Sequence, residues 1–347
     1  MVVRVFHGLY AQIISLENLF RAWQEFKRGK RNKNDVIAFE RNLENNIFFL
    51  HDQLVEKSYK HGLYKDFYIT DPKLRHIYKA SIFDRLIHHA VFIVLNPLFE
   101  PTFIANSYSC RKGYGAHKGF KKLVLYCRKL SKNYTKNCWA LKSDIRKFFD
   151  SVDHAVFLEI ISRRIQDNDT LLLLRGIIDS YHTSFGKGIP IGNLTSQLFT
   201  NIYLNELDQF VKHELRVHYY LRYADDFIIL HKDKKLLQKY LLEIELFLEK
   251  FLQLKVHPQK TLLRRLDWRI DFVGYVALPH YQVIRTKTKQ RIFKNVKKRM
   301  KQYENGTIDK QRLKQSVASY LGVLKHAHAH KLETSLKKIV DKDYAIG

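Results

Sequence analysis

Between Leu236 and Phe251, the residues Leu236, Leu237, Tyr240, Leu241, Ile244, Phe247, Leu248 and Phe251 mark out one amphipathic stripe. This three-and-four spacing turns one face of a helix toward a core. Ser196 to Val211 follows the same period. Other segments read as strands: Trp139 to Asp144 is an extended run that ends on an acid, and Tyr219 to Leu230 forms two β-rich runs flanking Ala-Asp-Asp. The second pattern predicts a hairpin. A basic, tyrosine-rich stretch from Lys60 to Lys79, containing Phe67, Tyr68 and Ile77, predicts a further short sheet. Beyond residue 285 the helical period returns, first through Ile292, Phe293, Val296 and Met300, then through Leu313, Val317, Tyr320, Leu321 and Leu324. The mixture predicts an α+β protein. No repeat of fixed period and no Gly/Ser- or Pro-rich linker interrupts it, which favours interlocked subdomains over a modular array.

Charge narrows the picture. Lys and Arg number 61 against 34 Asp and Glu, a formal net charge of +27 in 347 residues. An excess of that size implies a polyanionic partner, because each phosphate neutralised releases condensed counterions. The basic residues are spread along the chain rather than gathered in one amphipathic segment, so nucleic acid fits better than an anionic membrane. Arg285 to Lys301 holds nine Lys or Arg and no acid over its apolar face. That stripe suits the backbone of a nucleic acid, with solvated surface as the plainer alternative. Cys110, Cys127 and Cys138 have neither zinc-ligand spacing nor the even count of a disulfide framework, and read as structural thiols in a reducing cytoplasm. His326, His328 and His330 cluster in sequence, but their spacing scatters them around a helix and a zinc site is the weaker reading. The first residues carry no apolar core or small-residue cleavage site, and no apolar run reaches about 18 residues. The expectation is a soluble, cytoplasmic protein that is not membrane-bound.

The candidate chemistry lies in three acids. Asp144 ends one strand, and Asp225 and Asp226 sit at the tip of the predicted hairpin. Adjacent carboxylates in so apolar a setting are costly without a compensating cation. Carboxylates bridging two divalent cations are what nucleotidyl transfer requires. An Asp-Asp pair alone is ordinary turn chemistry; its weight comes from the motifs around it.

Those motifs, followed from about Lys73 to Tyr275, resemble the reverse transcriptase family. Ser-Asp-Ile-Arg-Lys-Phe-Phe-Asp at 143 to 150 is similar to the first palm block and Tyr-Ala-Asp-Asp at 223 to 226 to the second. The resemblance implies Mg²⁺ (two ions) held by Asp144, Asp225, Asp226 and the backbone carbonyl of Ile145. It makes Phe149 the steric gate against a ribose 2′-hydroxyl. Pro-Lys-Leu-Arg-His-Ile, from 72 to 77, looks like the fingers block, with Lys73 and Arg75 on the triphosphate of the incoming dNTP. Ser107 to Gly113 resembles the Ser-Tyr-Gly-Phe-Arg block, with Cys110 in the Phe position and Arg111 expected near the template strand. His257 to Thr261 looks like the block whose lysine, here Lys260, protonates the leaving pyrophosphate. Phe272-Val-Gly-Tyr resembles the primer-grip turn, where Gly274 permits close approach to the primer.

One block departs from the family pattern. Where Gln-Gly-x-x-x-Ser-Pro is usual, residues 191 to 197 read Ile-Gly-Asn-Leu-Thr-Ser-Gln, so Ile191 replaces a polar residue at the incoming nucleotide, beside Gly192, and Gln197 replaces the proline. This form resembles the reverse transcriptases of diversity-generating retroelements. That branch implies cDNA synthesis with errors at adenines, a structured template RNA, its RNA/DNA hybrid, and a small accessory variability protein. An aliphatic residue in place of a hydrogen-bonding one removes a check on the nascent pair. A free-standing, group II intron-type or defence reverse transcriptase stays open as an alternative, as does a catalytically idle RNA-binding scaffold. The expected architecture is a right hand, with fingers over 1–140, a palm over 141–280 and a helical, basic thumb over 281–347.

Overall fold

The computed structural model describes residues 4–71 and 73–344. The chain opens with four helices, α1 (Leu9–Ile14), α2 (Leu16–Phe26), α3 (Asn34–Arg41) and α4 (Leu43–Val55), followed by the strands β1 (Lys65–Ile69) and β2 (Arg75–Lys79). The strands pair antiparallel, Phe67 opposite Ile77, as the tyrosine-rich pattern predicts. Then come α5 (Ile82–Phe99), α6 (Ala116–Leu130), β3 (Trp139–Asp144), the single turn α7 (Phe148–Ser151), α8 (His154–Ser162), α9 (Asn168–Asp179) and α10 (Leu194–Gln209). The hairpin β4 (Tyr220–Tyr223) and β5 (Asp226–His231) leads into α11 (Lys234–Leu252) and β6 (Leu262–Arg265). A small sheet of β7 (Ile270–Phe272), β8 (Tyr275–Ala277) and β9 (Gln282–Ile284) precedes α12 (Thr286–Glu304), α13 (Lys310–Leu324) and α14 (His330–Tyr344).

The central sheet runs β4-β5-β3-β6, and every neighbour is antiparallel. Its period of two feeds two hydrophobic cores. Leu141, Tyr220, Phe227 and Ile229 join a core made with α1 to α5 and α8 to α11. Ala140, Leu221, Ile228 and Leu230 point the other way, into a core built with α6, the β7-β8-β9 sheet and the last three helices. Strands buried on both faces read as continuous apolar runs, which is why Phe-Ile-Ile-Leu in β5 shows no alternation of its own. The architecture is the right hand expected, a mixed α/β arrangement with a central antiparallel sheet flanked by helices. α6, which falls within the 1–140 segment assigned to the fingers, packs under the palm sheet beside β4, β5 and β8. Its apolar stripe, Phe120, Leu123 and Cys127, fits that face.

α5 is long and apolar enough to cross a bilayer by length and composition. In the fold it is an interior helix packed against α2 and α10. It begins on a side-chain cap, Ser81 Oγ accepting from the Asp84 N–H, and carries His88 into the core. α12 and α13 close the second core through Ile292, Val296, Met300, Leu313 and Leu324, matching the two apolar stripes of the C-terminal sequence, and α14 adds Leu336.

Candidate active site

Strand register assembles the acids. β3 and β5 pair with Asp144 opposite Asp226, and Tyr223 pairs with Asp226 across the turn formed by Ala224 and Asp225. Ala224 takes a left-handed φ of 53°, which the tight connection demands of a residue that ordinarily avoids it. The Asp225 carbonyl accepts the Ile145 N–H at 3.2 Å, and the Asp144 carbonyl accepts the His257 N–H at 2.7 Å. Asp144 is thus fixed between the hairpin tip and the segment after α11.

The three carboxylates repel one another in a poorly solvated place. Burial, with Asp144 and Asp226 alongside, pushes the Asp225 carboxyl up to about 6. Burial raises Asp226 as well, while Lys142, Lys73 and Lys260 hold it down. Lys260 Nζ donates to Asp144 Oδ1 at 2.7 Å. Among the described residues no three His, Cys, Asp or Glu side chains converge into a metal-ligand cluster, the aspartates included. Their donor set is nonetheless the hard-oxygen kind that Mg²⁺ takes, and the raised pKa of Asp225 and Asp226 is the strain that a bound cation relieves.

A cleft of about 1460 Å³ opens over Asp144 and Asp226. Lys73 and Arg75 line it from the fingers, Tyr223, Lys142 and Lys260 from the palm, and Gly274 and Tyr275 from the β7-β8 turn. Arg285, Arg291, Lys294 and Lys298 of the thumb form the facing wall. Gly274 has φ 92° and its carbonyl accepts the Arg285 N–H, which ties the turn to the start of α12. At the fingertips Asp71 reaches across to α12, accepting from Asn295 Nδ2 at 2.8 Å and lying 3.5 Å from Arg291 Nε.

The departing block lies beside the fingers. Tyr78 N–H donates to the Ile191 carbonyl at 3.0 Å, and Asn193 Nδ2 donates to the Tyr78 carbonyl at 3.1 Å. A Cβ on Gly192 would come within 2.9 Å of Ile77 Cγ2, and φ there is 121°, so glycine is required twice over. Ile191 is half-buried, and Gln197 is exposed on the first turn of α10. Phe149 is half-buried at the start of α7, its carbonyl accepting the Ile189 N–H at 2.8 Å, while Phe148 is core.

Two expected contacts with nucleic acid are turned inward. Arg111 spends its guanidinium on Glu100 (2.9 Å from Nε) and on the carbonyls of Ile104 (2.7 Å) and Ser107 (2.9 Å), with Tyr114 beneath it. It braces its own loop. Phe272 is 1 % exposed and belongs to the second core. The residues that sequence reasoning missed are Lys142, Asp271 and Arg222. Asp271 bridges Lys142 (3.1 Å) and Arg285 (3.0 Å), joining palm strand to thumb. Arg222 is fully buried, and a lone cation inside the run Tyr-Leu-Arg-Tyr was the available signal, since a buried charge must be paired.

A palm sheet that carries paired acids at the floor of a cationic cleft defines a nucleic-acid polymerase fold. Residues 65–324 match the family model described as reverse transcriptase (RNA-dependent DNA polymerase), and the chain belongs to that family. It is related to the enzymes of group II introns. The group II intron-encoded protein LtrA of Lactococcus lactis subsp. cremoris is 25% identical over 272 residues, 58% of this chain and 44% of that protein. Protein YkfC of Escherichia coli K12 is 26% identical over 267 residues, 65% of this chain and 69% of its own length. Among solved structures, apo telomerase from Candida tropicalis aligns at a TM-score of 0.48 with 15% identity, over 66% of this chain and 55% of that one.

Proposed function

We propose that the chain is an RNA-directed DNA polymerase of the intron-encoded type, extending a DNA primer on an RNA template. The observation that carries this reading is the register that sets Asp144 opposite Asp226, with Asp225 in the adjoining turn, beneath a cleft lined by cations from fingers to thumb. Asp144, Asp225, Asp226 and the Ile145 carbonyl would hold two Mg²⁺ ions, which when bound activate the primer hydroxyl and offset charge on the departing pyrophosphate. Lys73 and Arg75 project from the fingers to hold the dNTP triphosphate, Arg75 with the geometry for two parallel hydrogen bonds. Lys260, whose Nζ donates to Asp144 Oδ1, would deliver a proton to the leaving pyrophosphate. Phe149 sits under the sugar and excludes a ribonucleotide. The cationic face of α12 grips the template–primer hybrid through its phosphates.

A second reading, a retroelement enzyme that miscopies adenine with the help of an accessory protein, rests on Ile191 and Gln197. The relatedness to intron-encoded proteins supports the first reading over it. Primer extension by the purified chain on a defined RNA with Mg²⁺, the products sequenced for errors by template base, tests both. Accurate synthesis supports the first reading, and errors concentrated opposite adenine support the second. Absence of synthesis on any template would overturn both.

A further inference from the structure

Arg222 is fully buried, and so is its partner Asp208 on α10. The guanidinium makes a two-pronged pair, Nε to Asp208 Oδ1 at 2.8 Å and one terminal nitrogen to Oδ2 at 2.6 Å. Tyr220 donates its hydroxyl to the same Oδ1 at 2.7 Å, so the carboxylate is fully engaged. The remaining arm of Arg222 points along the strand and donates to the Ala224 carbonyl at 3.0 Å. The main chain of Arg222 is anchored too, its N–H donating to the Asn106 carbonyl and its carbonyl accepting from the Tyr108 N–H, both at 2.9 Å.

The held carbonyl belongs to the peptide that leads into Asp225. Ala224 carries the positive φ of the turn, a conformation that persists only where the surroundings impose it. On the far side of Asp225, its own carbonyl is fixed by the Ile145 N–H. Both peptides around Asp225 are therefore clamped, one by a buried side chain and the other by the first strand's continuation. A buried pair of this kind is weak evidence for a purely stabilising role, since well-packed apolar residues often replace such pairs without loss.

We infer that Arg222, oriented by Asp208 and Tyr220, is a positioning residue that fixes the Ala224–Asp225 peptide and so aims the Asp225 carboxylate for cation binding, an inference that rests on the polymerase reading above. Arg222 touches neither nucleotide nor cation. It acts by removing freedom from the turn, which lowers the reorganisation needed when a cation arrives.

The test uses the full chain with an RNA template and DNA primer. Arg222→Lys keeps the buried charge beside Asp208, but its single nitrogen cannot hold both carboxylate oxygens and the Ala224 carbonyl. The double variant Arg222→Met with Asp208→Leu removes the pair altogether, so that one of the two is available as folded protein. Folding is checked by thermal unfolding, and hybrid binding by fluorescence anisotropy. Mn²⁺ binding is read directly from the loss of the free-ion electron paramagnetic resonance signal, and the half-saturating Mg²⁺ is read from primer extension. The expected result in either folded variant is Mn²⁺ binding weakened about tenfold, a half-saturating Mg²⁺ raised by a similar factor, and unchanged hybrid affinity. Mn²⁺ affinity and Mg²⁺ requirement equal to the parent in a folded variant would overturn the positioning role and leave the polymerase standing. Failure of the unaltered chain to extend, with Mn²⁺ binding insensitive to Asp225→Asn, would remove the polymerase reading itself.

Discussion

Lys260 Nζ lies 2.7 Å from Asp144 Oδ1, joining two residues 116 positions apart at the floor of the cleft. Half of the Lys260 side chain remains in solvent. Such a partly exposed pair contributes at most about 1 kcal/mol, so it holds the lysine beside Asp144 without locking it there. Lys260→Met is expected to slow single-turnover extension about 10²-fold while leaving hybrid binding and the unfolding temperature nearly unchanged. Rapid-quench kinetics beside a melting curve separates the two effects.

The crowded carboxylates imply an opposition between stability and activity. Because folding raises the Asp225 pKa from 3.8 to about 6, its ionised form opposes folding at neutral pH. Asp225→Asn is expected to abolish extension yet stabilise the chain by about 1–3 kcal/mol in the presence of a chelator. Denaturant titration in EDTA measures the gain, and its absence would show that the three acids do not repel as their placement demands.

Acid sensitivity should originate far from the cleft, in α5. Burial pushes His88 down to about 3 and His89 to about 4, with His61, Arg85 and Asp84 as the charged and titratable groups around His88. The folded chain excludes the protonated form of His88 while the unfolded chain accepts it near 6.5. Stability is therefore complete above about pH 6.5 and falls as pH drops below it, by up to about 1.4 kcal/mol per pH unit for each histidine. His88→Phe should flatten the decline between pH 6.5 and 5, as followed by urea unfolding at several pH values.

Sugar selection is expected to depend on Phe149. Phe149→Ala should reduce the preference for deoxynucleotides over ribonucleotides by roughly 10- to 200-fold. Competing dNTP and rNTP incorporation on one template gives the ratio, and an unchanged ratio would place the gate elsewhere.

Ile191 separates the two functional readings. If an aliphatic side chain relaxes scrutiny of the nascent pair, Ile191→Gln should lower misincorporation by about 1–2 kcal/mol of discrimination, most visibly at the template base that is miscopied most. Sequenced products of the two proteins on one RNA decide it.

Much of this arrangement was legible in order of residues. The strand ending at Asp144, the hairpin around Asp225 and the helix through Ile244 and Leu248 are local patterns, and each forms where its period places it. The short sheet of Phe67 and Ile77 does too. What escaped depends on contacts distant in sequence. Whether Arg111 faces a template or its own loop turns on Glu100 and two carbonyls, which no period reveals. The place of α6 is decided by which face of the sheet is left uncovered, and an amphipathic helix reads alike on either. Arg222 differs: a cation inside an apolar strand implies a buried partner, but which acid pairs with it, Asp208 on α10, is a matter of packing rather than of local pattern.

The central sheet separates two apolar cores, one shared with the N-terminal helices and one with the thumb. Such a partition divides the molecule into two cooperative units with the strands as their common wall. Ala140, Leu221, Ile228 and Leu230 lose their cover if the thumb-side unit opens, while Leu141, Phe227 and Ile229 stay packed. Amide hydrogens of β3 and β5 should then outlast those of α12 and α13 during exchange. If that unit opens alone, Arg285, Arg291, Lys294 and Lys298 leave the cleft while the other core keeps the chain folded.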